Sequence, residues 1–556
     1  MRELMIRLPR LGPIRTSPDD PRLFSFNNER DAIVHDVVER VTTGRSPGEV
    51  ERLLADAAYE EIRRLESQRD AEASADLSGW RSRARRIHGM DAGERSAELA
   101  RAASHYAWDI AGNFDPRVFR FVTRLVPTLL TGVMAPSTLP NLLGGDRWLG
   151  DRVLTQGDTD LLRRLSKNAT LVITPTHSSN LDSVVFGFAL ERAGLPPVTY
   201  GAGKNLFTNP FISFFMHNLG AYRVDRRIRA LLYKEVLKAY SCVLIERGYH
   251  SLFFPGGTRS RSGGVETRVK LGLLGSAVEA WVRSVVSGHE RPVAIVPLTI
   301  NYVLTLEAES LIREHLKESG RAQFIMEDDE FSQLDRWNTF FRKTLMMDAA
   351  VILRFGTPID PFGYRMDDTG ASYDSRGRLV DRRSYVLKDG VPAMDANRDA
   401  EYTRELGEII CQHFKRETVV VSTAVVAKVL FARLAQALPG LDLYQRLRMR
   451  GQVIVPREEV LADIDALRGK LRALADQGKL VLSPVVDGTP APQLLERALS
   501  AWSGYHTRPA ARWQDGGLVL EDLNLLYYYQ NRLGCFAKDL AATTPAHASR
   551  AAEATR

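Results

Sequence analysis

The segment LVITPTHSSNLDSVVFGFALERAGLPPVTYGAG, Leu171 to Gly203, sets the rhythm of the central part of the chain. LVIT (171–174) is a short β-branched run that reads as a buried strand, and it leads directly into a polar loop. A helix follows, with Asn180 expected as its N-cap and Asp182 in its first turn. VTYGAG (198–203), SLFFPGG (251–257) and VAIVPLTINY (293–302) read as further buried strands. Helical stretches at Arg227–Tyr249 and Arg268–Val286 lie between them, and VILRFGTPI (351–359) adds one more strand. This alternation predicts the α/β class: a central mixed, mostly parallel sheet flanked by helices.

On either side of this layer the pattern becomes helical. VERLLADAAYEEIRRLESQ carries apolar residues at three- and four-residue spacing, typical of the text from about Arg30 to Gly144. The expected organisation is therefore an N-terminal helical region at 1–145 and a catalytic α/β domain at 146–363. A polar loop or insertion is expected at 364–398, a mostly helical region at 399–540 with a turn-rich break from Ser483 to Pro492, and a disordered tail at 541–556. The acidic text DDTGASYDSRG does not keep the ligand spacing of a calcium loop.

Composition narrows the classes. At 556 residues the chain has room for two to four folded units, and 44% hydrophobic with 26% charged residues excludes a mainly disordered chain. Cys242, Cys411 and Cys535 are too scattered for a disulfide framework or a zinc site, which favours a reducing compartment. The net charge of +7 favours anionic partners. The opening MRELMIRLPRLGPIR breaks every apolar stretch with charge and does not read as a secretory signal. The uncharged stretches Leu125–Gly145 and Asn205–Tyr222 are interrupted by prolines, so membrane contact is expected at the interface rather than through a span.

Four short constellations carry the chemistry. His177 stands just past the strand LVIT, where open α/β sheets place ligands, and Asp182 follows five positions later. A loop and first helical turn can bring the carboxylate to one ring nitrogen, leaving the other as a base; a purely structural His–Asp contact is the competing reading. FFPGGTRSRSGG (253–264) holds the turn Pro255, Gly256, Gly257 and Thr258, then Arg259 and Arg261. Its glycines admit an anion close to the backbone and its arginines can grip phosphate, although the spacing is not that of a P-loop. GAYRVDRR (220–227) contributes Arg226. From Arg223 to Lys270 there are 11 basic and 4 acidic residues, a surplus equal to that of the whole chain. Lys204 and Lys270 are further phosphate candidates. In VPLTINY (296–302), Pro297 is expected to stop the strand ladder. LFTNPFISFFMHNLG (206–220) reads as a core helix or an acyl slot, with Phe207, Phe211 and Phe215, and Pro297 nearby, as acyl-chain candidates. No G-x-S-x-G elbow is present, which weighs against a serine esterase.

In this order and spacing the four blocks resemble the glycerolipid acyltransferase family: H-x4-D, G-x-x-x-[IV]-[DR]-R, F-P-E-G-[TG]-R-S-R and V-P-[VL]-x-I. The likeness is greatest to the long glycerol-3-phosphate acyltransferase branch, including NYVLTLEAESLIREHLKESGR after the fourth block and NLLYYYQNRL at 524–533. The resemblance implies acyl transfer from acyl-CoA or acyl carrier protein to the sn-1 hydroxyl of glycerol 3-phosphate, with His177 as base and no cofactor. Acylation of 1-acylglycerol 3-phosphate or dihydroxyacetone phosphate is the near alternative. A non-catalytic basic protein binding lipid or nucleic acid is a more distant one, and no nucleic-acid module is evident. The expected setting is peripheral, on the cytoplasmic side of an anionic membrane, the inner membrane if the source is bacterial. One position departs from the family: Gly256 replaces its Glu. A carboxylate added there would repel bound phosphate, and a side chain would be strained if the position takes φ > 0, so Gly256→Glu is expected to lower activity.

Overall fold

The structure is a computed structural model that describes residues 17, 20–67, 71–123, 152–204, 210–319, 350–503, 505–514 and 516–543. Seven strands form the central sheet: β1 (Val153–Gln156), β2 (Thr170–Pro175), β3 (Thr199–Gly203), β4 (Ala221–Val224), β5 (Ser251–Leu252), β6 (Val293–Tyr302) and β7 (Val351–Phe355). Their order is β1-β7-β6-β2-β5-β3-β4, and every neighbouring pair is parallel except β6–β7. The fold is thus α/β with a mixed, mostly parallel sheet. β2 and β6 are buried at every position, which is why both read as continuous apolar runs rather than alternating ones.

Three details differ from expectation. SLFFPGG pairs only over Ser251–Leu252, because Pro255 and the glycines turn away as soon as the strand leaves the sheet. β1 and β4 arise from short texts with little pattern of their own. Pro297 does not stop the ladder. It pairs with Thr174 in the middle of β6, and its carbonyl accepts the Gly356 N–H. A strand residue directs its N and its C=O to the same side, so the missing N–H costs no bond to β2.

Helices cover both faces. In the N-terminal region α1 (Phe26–Thr42), α2 (Pro47–Glu66), α3 (Ala71–Arg86) and α4 (Ala92–Ile110) precede the sheet. α2 begins at a capping box between Ser46 and Glu49, which satisfies two N–H groups left open at a helix start. The sheet helices are α5 (Thr159–Asn168), α6 (Asp182–Arg192), α7 (Pro210–Asn218), α8 (Leu231–Glu246), α9 (Leu271–Val286) and α10 (Ala308–Ser319). α8 is apolar nearly all round because it is buried from two sides. Leu232, Val236 and Tyr240 join the core of the N-terminal helices, while Cys242 and Ile245 join Val172 of β2.

C-terminal to the sheet, α11 (Ala396–Arg416) packs on α9, placing Leu406, Ile410 and Phe414 in the same core as Ile295. α12 (Ser422–Ala437), α13 (Arg457–Asp476), α14 (Ala491–Trp502) and α15 (Leu523–Gln530) share the core of β2, β6 and β7. This mostly helical region also holds a small antiparallel sheet of Ile454–Val455, Gly517–Leu520 and Ala511–Gln514. Between 364 and 398, two-residue strand pairs alternate with turns closed by Asp367 and Asp374, each accepting two backbone N–H groups. Among the described residues no helix is long and apolar enough to cross a membrane. The stretch Leu125–Gly145, Phe207 and the residues from 544 onward lie outside the described residues.

Candidate active site

β2 ends at Pro175, and the next six residues fold into a tight loop before α6 begins at Asp182. The N-cap is Leu181 and not Asn180, whose N–H is drawn instead to Glu307 at 2.8 Å. Asp182 is fully buried in the first turn of α6. Its Oδ2 accepts from the Ser178 and Ser179 N–H groups at 2.7 and 3.1 Å, and from His177 Nδ1 at 2.7 Å. Oδ1 accepts from the Tyr302 hydroxyl at 2.7 Å. Since the carboxylate is surrounded by donors, the proton of the His–Asp bond belongs on Nδ1, and Nε2 is left with a free lone pair. Burial and the Asp182 charge push the Tyr302 hydroxyl well above its ordinary pKa, so it stays a donor.

The third block closes over this loop. Ser260 N–H donates to the His177 carbonyl at 2.7 Å, and the Phe254 ring stacks on the imidazole with centroids 4.2 Å apart. Pro255, Gly256, Gly257 and Thr258 form the turn, tied back by Lys270 N–H to the Pro255 carbonyl at 2.7 Å. The positive φ expected at Gly256 belongs to Gly257 instead, at 73°. A Cβ on Gly257 would also stand 2.6 Å from the Lys270 side chain, so that lysine lies directly against the turn.

The basic candidates separate by their partners. Arg259 is half-buried and reaches Glu307 at 3.2 Å. Glu307 is buried, which raises its pKa, and it also accepts the Ser179 hydroxyl at 2.8 Å. Arg226 is exposed and makes no ion pair or hydrogen bond among the described residues. Surrounding protein, and after it the Arg259 charge, hold its pKa below the usual guanidinium value, so the two cations share one neighbourhood. Such a pair of cations stands ready for an anion. Lys270 likewise forms no ion pair among the described residues, whereas Arg261 is taken up by Glu314 and Glu318 of α10. Lys204 reaches Asp109 at 3.3 Å and Asp225 at 3.8 Å. Phe211 and Phe215 fall in α7, whose Phe214 and Met216 are half-buried rather than core. Pro297 is buried at the level where β2 ends.

Three site residues have no sequence signal of their own: Tyr302, Glu307 and Glu266, whose Oε1 accepts the His177 N–H at 2.8 Å. Tyr302 closes the fourth block and Glu307 lies in the stretch NYVLTLEAESLIREHLKESGR, but nothing in their spacing singles them out from the chain's other tyrosines and acids. No group of three His, Cys, Asp or Glu residues is placed to hold a metal ion among the described residues.

Residues 158–301 match the family model described as Acyltransferase. A glycerol-3-phosphate acyltransferase of Xylella fastidiosa (strain M23) is 26% identical over 269 residues, covering 47% of this chain and 27% of the relative. One of Ectopseudomonas mendocina (strain ymp) is 26% identical over 318 residues, covering 54% of this chain and 35% of that one. The chain thus spans about a quarter to a third of the length of these curated relatives. The crystal structure of a 1-acyl-sn-glycerophosphate acyltransferase from Thermotoga maritima aligns over 54% of this chain and 93% of its own, at 15% identity and a TM-score of 0.26.

Proposed function

We propose that this chain, whose residues 158–301 match the Acyltransferase family model, is a glycerolipid acyltransferase that moves a fatty acyl group from acyl-CoA or acyl carrier protein to the sn-1 hydroxyl of glycerol 3-phosphate. The observation that carries this reading is the seam between the first and third blocks. His177, whose imidazole is paired to Asp182, accepts with its main-chain carbonyl the N–H of Ser260, next to Arg259. His177 Nε2 would take the hydroxyl proton as the oxygen attacks the thioester carbonyl. The carbon–sulfur bond then breaks and the thiol leaves with a proton. A positioned base of this kind contributes roughly 10²–10⁴-fold. The thioester is already activated, so the chemistry calls for no cofactor.

In this reading Arg226 and Lys270, which form no ion pair among the described residues, hold the phosphate together with Arg259, whose charge reaches Arg226 although it also pairs with Glu307. Arg261 and Lys204 act on it at longer range. Phe211, Phe215 and neighbouring residues of α7 are the proposed acyl-chain contacts. The deciding assay supplies radiolabelled glycerol 3-phosphate and palmitoyl-CoA and resolves the lipid products. Lysophosphatidic acid is the expected product. Labelled product only from 1-acylglycerol 3-phosphate or dihydroxyacetone phosphate would move the acceptor, and none from any acceptor would sink the reading.

The same proposal places the protein peripherally on the cytoplasmic side of an anionic membrane. Binding to vesicles is expected to require anionic lipid and to weaken as salt shortens the Debye length from roughly 10 Å at 0.1 M to about 3 Å at 1 M. Tight binding to neutral vesicles in high salt would contradict it.

A further inference from the structure

Gly256 offers no side chain to the third turn, yet the space beside it is occupied by a carboxyl group. Glu266 folds back beneath the turn: a Cβ built on Gly256 would stand 3.4 Å from its Cγ and 3.5 Å from its Oε1. That same Oε1 accepts the His177 N–H at 2.8 Å, while Oε2 is buried without a hydrogen-bond partner. Burial raises the pKa of this carboxyl group, opposed by the His177 N–H and then by the Arg532 charge. An acid kept in such a place at the expense of an unsatisfied oxygen is not explained by packing, since an apolar side chain of similar volume would avoid that cost.

The neighbouring bonds show what the acid accomplishes. Both main-chain groups of His177 are tied to the third-block segment, the N–H by Glu266 and the C=O by Ser260 N–H. With Nδ1 on Asp182 and the ring face on Phe254, the direction of Nε2 is then determined. The segment just before Glu266 is itself tied down: Asn531 Nδ2 donates to the Ser262 carbonyl at 3.0 Å, and Gly263 lies against the Tyr528 carbonyl.

We propose that Glu266 is a positioning residue of this site, delivering from position 266 the carboxylate that the turn lacks at 256 and fixing through the His177 N–H the main chain that carries the base. The proposal rests on the reading of His177 as base. Gly256 and Glu266 then form an exchangeable pair: the absence of a side chain at one makes room for the acid at the other. From the Cβ position at 256, a glutamate side chain is long enough to reach the His177 N–H.

The test uses the full chain as Glu266→Ala, Glu266→Gln, Gly256→Glu and the double variant Gly256→Glu/Glu266→Ala, each checked for folding by circular dichroism. Glu266→Ala is expected to lose roughly 10–100-fold in kcat with both KM values within about threefold, since a misplaced base costs on that order. Glu266→Gln keeps an oxygen for the His177 N–H and should stay within about threefold of wild type. Gly256→Glu alone should fall, and the double variant should regain at least about fivefold over Glu266→Ala. A folded Glu266→Ala with wild-type kcat, or a double variant no better than Glu266→Ala, overturns the proposal. Carbethoxylation of His177 by diethyl pyrocarbonate, followed by mass spectrometry, supplies a readout free of the acceptor. Should the wild-type protein acylate nothing, the acceptor reading fails separately. The modification rate must still change at least about threefold in Glu266→Ala and return in the double variant; an unchanged rate overturns the positioning role.

Discussion

Four donors converge on the two oxygens of Asp182, and that convergence sets how the residues of the site should respond to substitution. A folded His177→Ala variant is expected to lose roughly 10²-fold or more in kcat, because it removes the group proposed to take the hydroxyl proton. Asp182→Asn should lose less turnover but also lower Tm, since each bond to a charged acceptor is worth about 1.5–3 kcal/mol and an amide cannot accept all of them. Steady-state kinetics beside thermal melts separates the two effects, and equal turnover losses would make Asp182 more than an orienting group. The cations divide in the same way. Arg226→Ala should raise the acceptor KM about tenfold or more, whereas Arg261→Ala should raise it less, its guanidinium being engaged by Glu314 and Glu318. An equal rise for both would show that those ion pairs open when substrate binds.

At the scale of elements, the turn that carries the arginines is supported from the C-terminal region. Gly263 has φ of 78°, and a Cβ there would stand 2.3 Å from the Tyr528 carbonyl of α15. Gly377 has a similar φ of 76°, but a Cβ there meets nothing within 4 Å. Gly377→Ala should therefore cost only the backbone strain of about 1 kcal/mol, while Gly263→Ala adds a backbone clash and displaces the turn. The expected outcome is a small fall in Tm with full activity for the first, and a larger fall with reduced activity for the second. Similar behaviour of the two would mean that α15 does not support the turn. NLLYYYQNRL is thus tied to the arginine turn by contact, across 269 residues of chain.

Across the whole molecule, buried histidines give stability a direction in pH. His250 accepts the Leu171 N–H with Nδ1, and burial, then the Arg291 charge, depress its pKa to about 3; burial first, then Arg416, holds His413 near 4. A group with a depressed folded pKa contributes stability that is present above the unfolded value and is lost as pH falls toward the folded one. The loss should begin below about pH 6.5, with a limiting slope of about 1.4 kcal/mol per unit for each histidine. Melts from pH 7 to 4 should fall steeply, and less steeply in His250→Asn; an unchanged slope would exclude His250 as a cause. The runs LVIT and VAIVPLTINY were legible as strands because burial on both faces demands continuous apolar text, a local property. The His-x4-Asp loop and the arginine turn were legible because their spacing is short. Strand order, the antiparallel β7, the course of β6 through Pro297 and the strand β4 depended on pairings between distant segments, to which no local pattern responds. The same holds for Tyr302, Glu307 and Glu266. Residue type and spacing thus determined which groups could do chemistry, while the tertiary structure decided which carboxylates reach the His177 loop and which cations remain uncommitted, because hydrogen bonds and charge pairs depend on distance in space.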